Sequence, residues 1–129
     1  SRSCGCLNRD SKILPEGHSN RNRLFDLYRR GAIQRGYSFK LSKSQFLDLI
    51  AQDCHYCGSE PSNVLNHKRS NGSVIYNGID RKNNKIGYTA SNCLPCCKLC
   101  NMMKHSASYE GFLEQVFKIY NERLIWEEE

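Results

Sequence analysis

The sequence lacks any apolar run long enough to span a membrane or to form the hydrophobic part of a secretory signal, and it has no internal repeat or low-complexity tract. Apolar residues fill 39% of the 129 positions, so a core can form but is thin. Small domains of this kind often need a metal or disulfides for stability. The absence of a methionine before Ser1 indicates a trimmed or excised piece. We therefore expect one soluble domain from a reducing, cytoplasmic compartment.

Acidic residues are also scarce: 13 Asp and Glu stand against 19 Lys and Arg, and the net charge is +6. This balance favours an anionic partner, although charge alone leaves a merely soluble basic protein equally open. Residues 21–35 contain five arginines and no lysine, a pattern that favours contacts with the DNA backbone over a simple solvated helix face. The arginines that we expect to touch DNA are Arg29, Arg30 and Arg35.

Cysteine, by contrast, is abundant, and its eight copies fall in four close pairs. Clustering of this kind suits metal binding better than a disulfide framework, which spreads its cysteines along the chain. Two Cys-x-x-Cys turns, Cys54/Cys57 and Cys97/Cys100, together predict a closed, structural four-thiolate zinc site. The pair Cys93/Cys96 is a competitor for the second turn. Cys4 and Cys6 form half of another zinc element, partner Cys93 and Cys96, or belong to an irregular lead-in; the sequence leaves these alternatives open.

Hydrophobic spacing predicts a small α+β domain with several helices and one short hairpin. A first helix should bury Leu24, Leu27, Tyr28 and Ala32. A second helix should start at Ser42 or Ser44 and bury Phe46, Leu47, Leu49 and Ile50. Two short strands should flank a turn at Asn71-Gly72, in a hairpin that also bears Asp80. A short helix should begin near Cys97 and carry Asn101. A terminal amphipathic helix, capped by Ser106 or Ser108, should bury a long apolar stripe, namely Phe112, Leu113, Val116, Phe117, Tyr120 and Leu124.

We divide the chain into three parts. Residues 1–20 form an irregular segment, which would be the end of a truncated zinc element. Residues 21–53 form the arginine-rich helical part, and residues 54–125 form the zinc-stabilised core with its terminal helix.

Three segments, "CHYCG", "GIDRKNNKIGYTASNC" and "CCKLCNMMK", together resemble the HNH (ββα-metal) nucleases. The likeness is to the small zinc-stabilised HNH proteins of bacteriophages and of some restriction enzymes, and it covers roughly residues 54–115. It implies a ββα-metal core in which a hairpin and a helix hold one divalent cation. It also implies a phage or bacterial origin.

Carried over position by position, the resemblance makes Asp80 and Asn101 the two protein ligands of that cation. It makes Asn92 the residue that ties the intervening loop to the hairpin backbone. The residue chemistry agrees, since a carboxylate and an amide oxygen suit Mg²⁺ or Mn²⁺ and leave other positions for water and phosphate.

The sequence departs from the family where Arg81 replaces the usual histidine of the first motif. Arginine stays protonated and offers no acceptor, so it cannot act as a base, although it can clamp a phosphate. The base must lie elsewhere: His67 is the first choice, on the predicted first strand, and Tyr56 and His55 follow. An ordinary exposed histidine is an equally good description of His67 from sequence alone.

The resemblance implies a metal-dependent endonuclease acting on double-stranded DNA. Lysines that flank the proposed site should add DNA contacts; they are Lys82, Lys85, Lys98 and Lys104. A homodimer is expected if both strands are cut. The alternative is a catalytically inactive zinc-binding DNA-recognition module on the same scaffold. A zinc-stabilised protein-interaction domain would leave Asp80, Arg81 and the positive charge unexplained.

Overall fold

A computed structural model describes residues 18–66 and 72–125, and the chain is α+β within them. Its helices and strands, in chain order, are α1 (His18–Gln34), α2 (Lys43–Ile50), β1 (Asn63–Leu65), β2 (Val74–Tyr76), β3 (Gly78–Arg81), β4 (Cys93–Cys96), α3 (Lys98–Lys104) and α4 (Tyr109–Ile119), which continues as a π-helical turn at Tyr120–Leu124. Cys4, Cys6 and His67 lie outside the described residues.

The N-terminal helices form the larger part of the core. In α1, Leu24 and Ala32 are buried as expected, whereas Leu27 is 47% exposed and the expectation for it is wrong. Helix α2 begins after Ser42, whose hydroxyl accepts a hydrogen bond from the Gln45 amide in a reciprocal capping box. Helix α1 starts before residue 21, inside the segment expected to be irregular.

Phe46 is the centre of this core, because its side chain is fully buried and aromatic rings surround it. Phe25, Tyr28 and Phe39 have ring centroids 5.4, 5.2 and 6.5 Å from that of Phe46, in edge-on or tilted arrangements. Leu47 and Leu49, expected in the core, are only half-buried against it. The burial of Tyr28 raises the pKa of its hydroxyl well above the usual range.

Two separate antiparallel hairpins follow, where the sequence predicts one. Strands β1 and β2 pair in the register Val64 to Ile75, as the sequence predicts for the two short strands. The turn predicted at Asn71-Gly72 lies partly outside the described residues. Asp80 is not part of that hairpin. It lies on β3, which pairs with β4 so that Asp80 faces Leu94. The sequence analysis does not predict β4, because it interprets Cys93 and Cys96 as candidate metal ligands rather than as strand residues.

The loop between β3 and β4 is attached to the helical part through Tyr88. Its backbone pairs with the α1–α2 connection, where the Lys40 amide donates to the Tyr88 carbonyl over 2.8 Å. Gly87 approaches Ser38 so closely that an added Cβ would collide with the Ser38 backbone. The helical part therefore supports the second hairpin directly.

The C-terminal helix is correctly predicted in position and cap but not in burial. Ser108 is its N-cap and accepts a hydrogen bond from the Gly111 amide. Of the expected apolar stripe only Phe112 is buried, against Tyr56. The other five stripe residues are 38% to 65% exposed in the part of the chain that the structure describes.

Candidate metal centre and nucleic-acid interface

Four cysteine sulfurs converge beside the second hairpin. Cys54, Cys57, Cys97 and Cys100 place their Sγ atoms within 4.8 Å of one another. The Cys57 and Cys97 sulfurs are 3.7 Å apart. Tetrahedral zinc with Zn–S bonds of about 2.3 Å separates its sulfurs by about 3.8 Å, so this donor set has the right size for zinc. The four sulfurs are those of the two preferred turns, and Cys93 and Cys96 are not among them.

The polypeptide also favours thiolates at part of this cluster. Burial raises the pKa of Cys54, but backbone amides of Cys57, Cys97 and Tyr56 outweigh it and bring that pKa to about 6. A hydrogen bond with Ser59 lowers the pKa of Cys57. Burial and the neighbouring sulfurs raise the pKa of Cys100. A metal binds thiolates, so the cluster is partly prepared for one.

Cys93 and Cys96 serve a different purpose. Both are buried on β4, where burial raises the pKa of Cys93 to about 11 and that of Cys96 beyond the usual range. Buried thiols of this kind pack as small apolar core residues.

Asp80 is buried beside the cysteine cluster and is held from two sides. Its Oδ2 accepts a hydrogen bond of 2.6 Å from the Tyr56 hydroxyl, and Tyr56 lies between the cluster residues Cys54 and Cys57. Its Oδ1 lies 3.3 Å from Nζ of Lys104, whose side chain is fully buried. Lys104 also donates to the Arg81 carbonyl over 3.3 Å. Because a carboxylate has about four lone pairs, each oxygen keeps one for a further partner.

These contacts change the interpretation of two residues. Burial, followed by the hydrogen bond to Asp80, raises the pKa of Tyr56 far above neutrality, so in this state its hydroxyl is a donor to Asp80 rather than a base. Lys104 was expected on the DNA-facing surface. It is instead fully buried and paired with Asp80, and that expectation is wrong.

Arg81 follows Asp80 on β3 and braces the loop after the strand. One guanidinium nitrogen, Nη1, donates to the carbonyls of Asn84 and Ile86 over 2.8 and 3.0 Å. The guanidinium carbon lies 3.8 Å from the Tyr37 ring centroid. This stacked cation fixes the position of the guanidinium at a cavity wall.

Asn92 makes the densest set of hydrogen bonds in the same loop. Its buried amide nitrogen donates to the carbonyls of Asn83, Ile86 and Gly87 over 3.0 to 3.2 Å. Its side-chain oxygen accepts from the Asn83 amide over 3.0 Å. The loop is thereby closed on itself between β3 and β4.

An open cavity of about 450 Å³ separates this loop from α3. Its lining residues carry no carboxylate; they are Tyr37, Arg81, Asn84, Lys98, Asn101, Met102, His105 and Ser106. Helix α3 begins at the cluster residue Cys97, which caps it by accepting from the Cys100 amide. The metal-type turn therefore sets the direction in which Asn101 projects.

The histidines fall in different places. His55 is exposed, and its Nε2 lies 2.9 Å from the Tyr109 hydroxyl. His105, which sequence reasoning missed, is the residue directly after α3 and lines the cavity. Its φ of +52° takes the backbone out of the helix at this residue, so helical spacing from Asn101 does not predict where the imidazole lies.

The arginines expected at the DNA backbone are partly engaged in the protein. Arg29 and Arg30 pair with Asp26 over 2.6 and 3.1 Å, and Arg35 donates to the Tyr88 hydroxyl over 3.0 Å. Lys82 is half-buried, while Lys85 and Lys98 are exposed. Exposed cations near the cavity thus come from the loop and from α3.

The fold is HNH-like. The structure resembles that of the rare-cutting HNH restriction endonuclease PacI, with a TM-score of 0.55 and 22% sequence identity over 80% of each chain. That enzyme is described as perturbing DNA. No protein-family model matches the sequence.

A sequence relative is an uncharacterised protein of Acanthamoeba polyphaga mimivirus, 35% identical over 94 residues. The matched region covers 73% of this chain but only 16% of that protein's length. No helix in residues 18–66 and 72–125 has the length and apolarity to cross a membrane.

Proposed function

We propose that the protein is a metal-dependent DNA endonuclease that hydrolyses a phosphodiester at a cation held by Asp80 and Asn101. Asn101 lines the cavity between the β3–β4 loop and α3, whereas Asp80 is buried on β3, next in sequence to the cavity residue Arg81. The observation that carries the proposal is the placement of Asp80 on a strand and Asn101 on the next helix of an HNH-like fold. Both are tied to the cysteine turns, because Tyr56 donates to Asp80 and Cys97 caps the helix of Asn101. Zinc at the four cysteines would be structural, since four thiolates leave no position for substrate.

Asp80 and Asn101 are the residues that would hold the catalytic cation. Each Asp80 oxygen keeps an acceptor position, and the exposed Asn101 amide contributes a second hard oxygen. Such a donor pair suits Mg²⁺ or Mn²⁺, which would supply Lewis-acid stabilisation of charge on the phosphate oxygens. Lys104 competes with a cation for Oδ1, so the affinity of this site depends on how readily Lys104 withdraws.

The cavity has the electrostatics that a DNA phosphate needs. Arg81 and Lys98 lie in its wall together with the polar side chains of Asn84 and His105, and no acid lines it. Arg81 keeps donors beyond Nη1 for a phosphate oxygen, while its stack on Tyr37 holds the guanidinium in place. Asn92 keeps the loop closed, and the same loop supplies the Asn84 and Ile86 carbonyls that hold the Arg81 guanidinium.

A water-activating base completes the proposal. His67 is the candidate from sequence, and His105 is the candidate that the cavity adds. An imidazole is the side chain that enzymes most often use as a general base. The phage or bacterial origin and the homodimer remain predictions from the sequence.

The test is cleavage of supercoiled plasmid with zinc retained and Mg²⁺ or Mn²⁺ added. We expect the wild type to produce nicked or linear DNA and Asp80→Asn to lose this activity. Asp26→Asn, which removes a carboxylate from the exposed part of α1, should keep it. Salt-dependent binding by the wild type without any cleavage would exclude the nuclease and leave the DNA-recognition module.

A further inference from the structure

Helix α3 presents three large apolar side chains to solvent. Leu99, Met102 and Met103 are 65%, 64% and 57% exposed. Only Cys100 and Lys104 anchor this seven-residue helix through burial. Exposed apolar side chains that lie side by side indicate a contact surface more often than chance, whereas scattered ones do not.

The position of these side chains ties them to the candidate phosphate site. Met102 itself lines the cavity between Asn101 and His105, and Lys98 lies one turn before it on the same helix face. Leu99 and Met103 are four residues apart and extend the apolar surface away from the cavity. An apolar ridge thus borders the site where the proposed function puts the DNA backbone.

The charge around the ridge selects the partner. The cavity wall contains Arg81 and Lys98 and no carboxylate, and the exposed Lys85 lies in the facing loop. A partner for this surface needs negative charge for the cations and apolar surface for the ridge. DNA offers both, through its phosphates and through the faces of its base pairs. Methionine and leucine are among the side chains that proteins insert between base steps from the minor groove.

We propose that Leu99, Met102 and Met103 form an apolar wedge that enters the minor groove and partly unstacks a base step next to the bound phosphate. This inference rests on the proposed function, since it needs DNA at the cavity. Met102 is the leading side chain because it is the member that borders the cavity. The unbranched methionine can adapt to different steps, so the wedge would recognise deformability more than sequence.

The experiment uses duplexes that carry 2-aminopurine in place of adenine at TA and CA steps, which unstack most easily. The zinc-loaded full chain is added with Ca²⁺ in place of Mg²⁺. A rise in 2-aminopurine fluorescence reports unstacking, and the salt dependence of binding reports the number of phosphate contacts. The test variant is Leu99→Gln/Met102→Gln. The control is Val64→Gln/Ile75→Gln, which changes two equally exposed side chains paired across the first hairpin.

We expect the test variant to lose the fluorescence rise and to bind about tenfold more weakly, the loss expected for removing apolar contacts of this size. Its salt dependence should match that of the wild type, because no cation changes. The control variant should behave like the wild type.

Wild-type binding without a fluorescence rise, or a test variant that unstacks DNA as well as the wild type, would overturn the wedge even if the plasmid is cut. A rise in fluorescence together with an absence of plasmid cleavage would support the wedge proposal and contradict the proposed nuclease activity. If the wild type binds no DNA, both proposals fall.

Discussion

The Tyr56 hydroxyl donates a 2.6 Å hydrogen bond to Oδ2 of Asp80, so a residue inside the first Cys-x-x-Cys turn directly positions the candidate metal ligand. The cysteine cluster fixes the point where β4 ends and α3 starts, because Cys97 lies between them. It also holds the turn that carries Tyr56, whose hydrogen bond fixes the rotamer of Asp80. A structural metal at the cysteines would therefore control the geometry of the second site.

Tyr56→Phe should lower the free energy of unfolding by about 2 kcal/mol, because a hydrogen bond to a buried carboxylate is lost while the ring contacts remain. Chemical denaturation of the zinc-loaded protein measures this change. Tyr120→Phe, which alters an exposed ring on the terminal helix, is the matched control and should be neutral. An equal effect in both variants would show that Tyr56 does not hold Asp80.

The buried pair of Asp80 and Lys104 leads to a second prediction. Lys104→Met should destabilise the protein by about 3 kcal/mol, since it leaves a buried carboxylate without its charged partner. The double variant Asp80→Asn/Lys104→Met should recover part of that loss, which a double-mutant cycle would quantify. Lys118→Met, on the exposed terminal helix, provides the comparison. Simple additivity in the cycle would contradict the pairing.

Metal content distinguishes the two sets of cysteines. Cys97→Ser should remove the bound zinc, measured by elemental analysis, and should lower the thermal midpoint as strongly as a chelator does. Cys93 lies on β4, four residues before Cys97, but its sulfur is not part of the four-sulfur cluster. The Cys93→Ser variant should therefore keep a full equivalent of zinc. Zinc loss in Cys93→Ser but not in Cys97→Ser would reverse the ligand assignment.

Alkaline pH should destabilise the protein in part through Cys93. Burial raises the pKa of this thiol in the folded protein from 9.0 to about 11, so the unfolded chain releases the proton first as the pH rises. Its contribution to stability is complete below pH 9 and is lost as the pH rises through 11. Unfolding free energies measured at pH 8 and above should therefore fall less steeply in Cys93→Ala than in the wild type. Parallel profiles would contradict a buried neutral thiol.

Much of the site follows from sequence because it depends on local spacing. Two Cys-x-x-Cys turns predict four sulfurs at one point, and the second turn caps a helix whose first residues are fixed. Asn101 therefore lies on the predicted helix, and the α+β class follows from the same elements.

What the sequence did not reveal depends on which surfaces meet. Strand β4 consists of Cys93 to Cys96, whose sulfurs resembled ligands, so the hairpin of Asp80 was assigned to the wrong partner strand. The burial of Lys104 depends on Asp80, 24 positions earlier, which no local pattern encodes. The amphipathic terminal helix shows the same limit, because periodicity identifies an apolar face without showing that the rest of the chain covers it.

The measurement that most directly tests the central claim is plasmid cleavage as a function of Mn²⁺ concentration for the wild type, Asn101→Ala and Asn121→Ala. The account predicts Mn²⁺-dependent cleavage by the wild type and by Asn121→Ala, whose change lies on the exposed terminal helix. It predicts cleavage by Asn101→Ala that is lower by at least about a hundredfold, as for loss of a group that positions a catalytic cation. Cleavage by Asn101→Ala that matches the wild type at every Mn²⁺ concentration would contradict the assigned site.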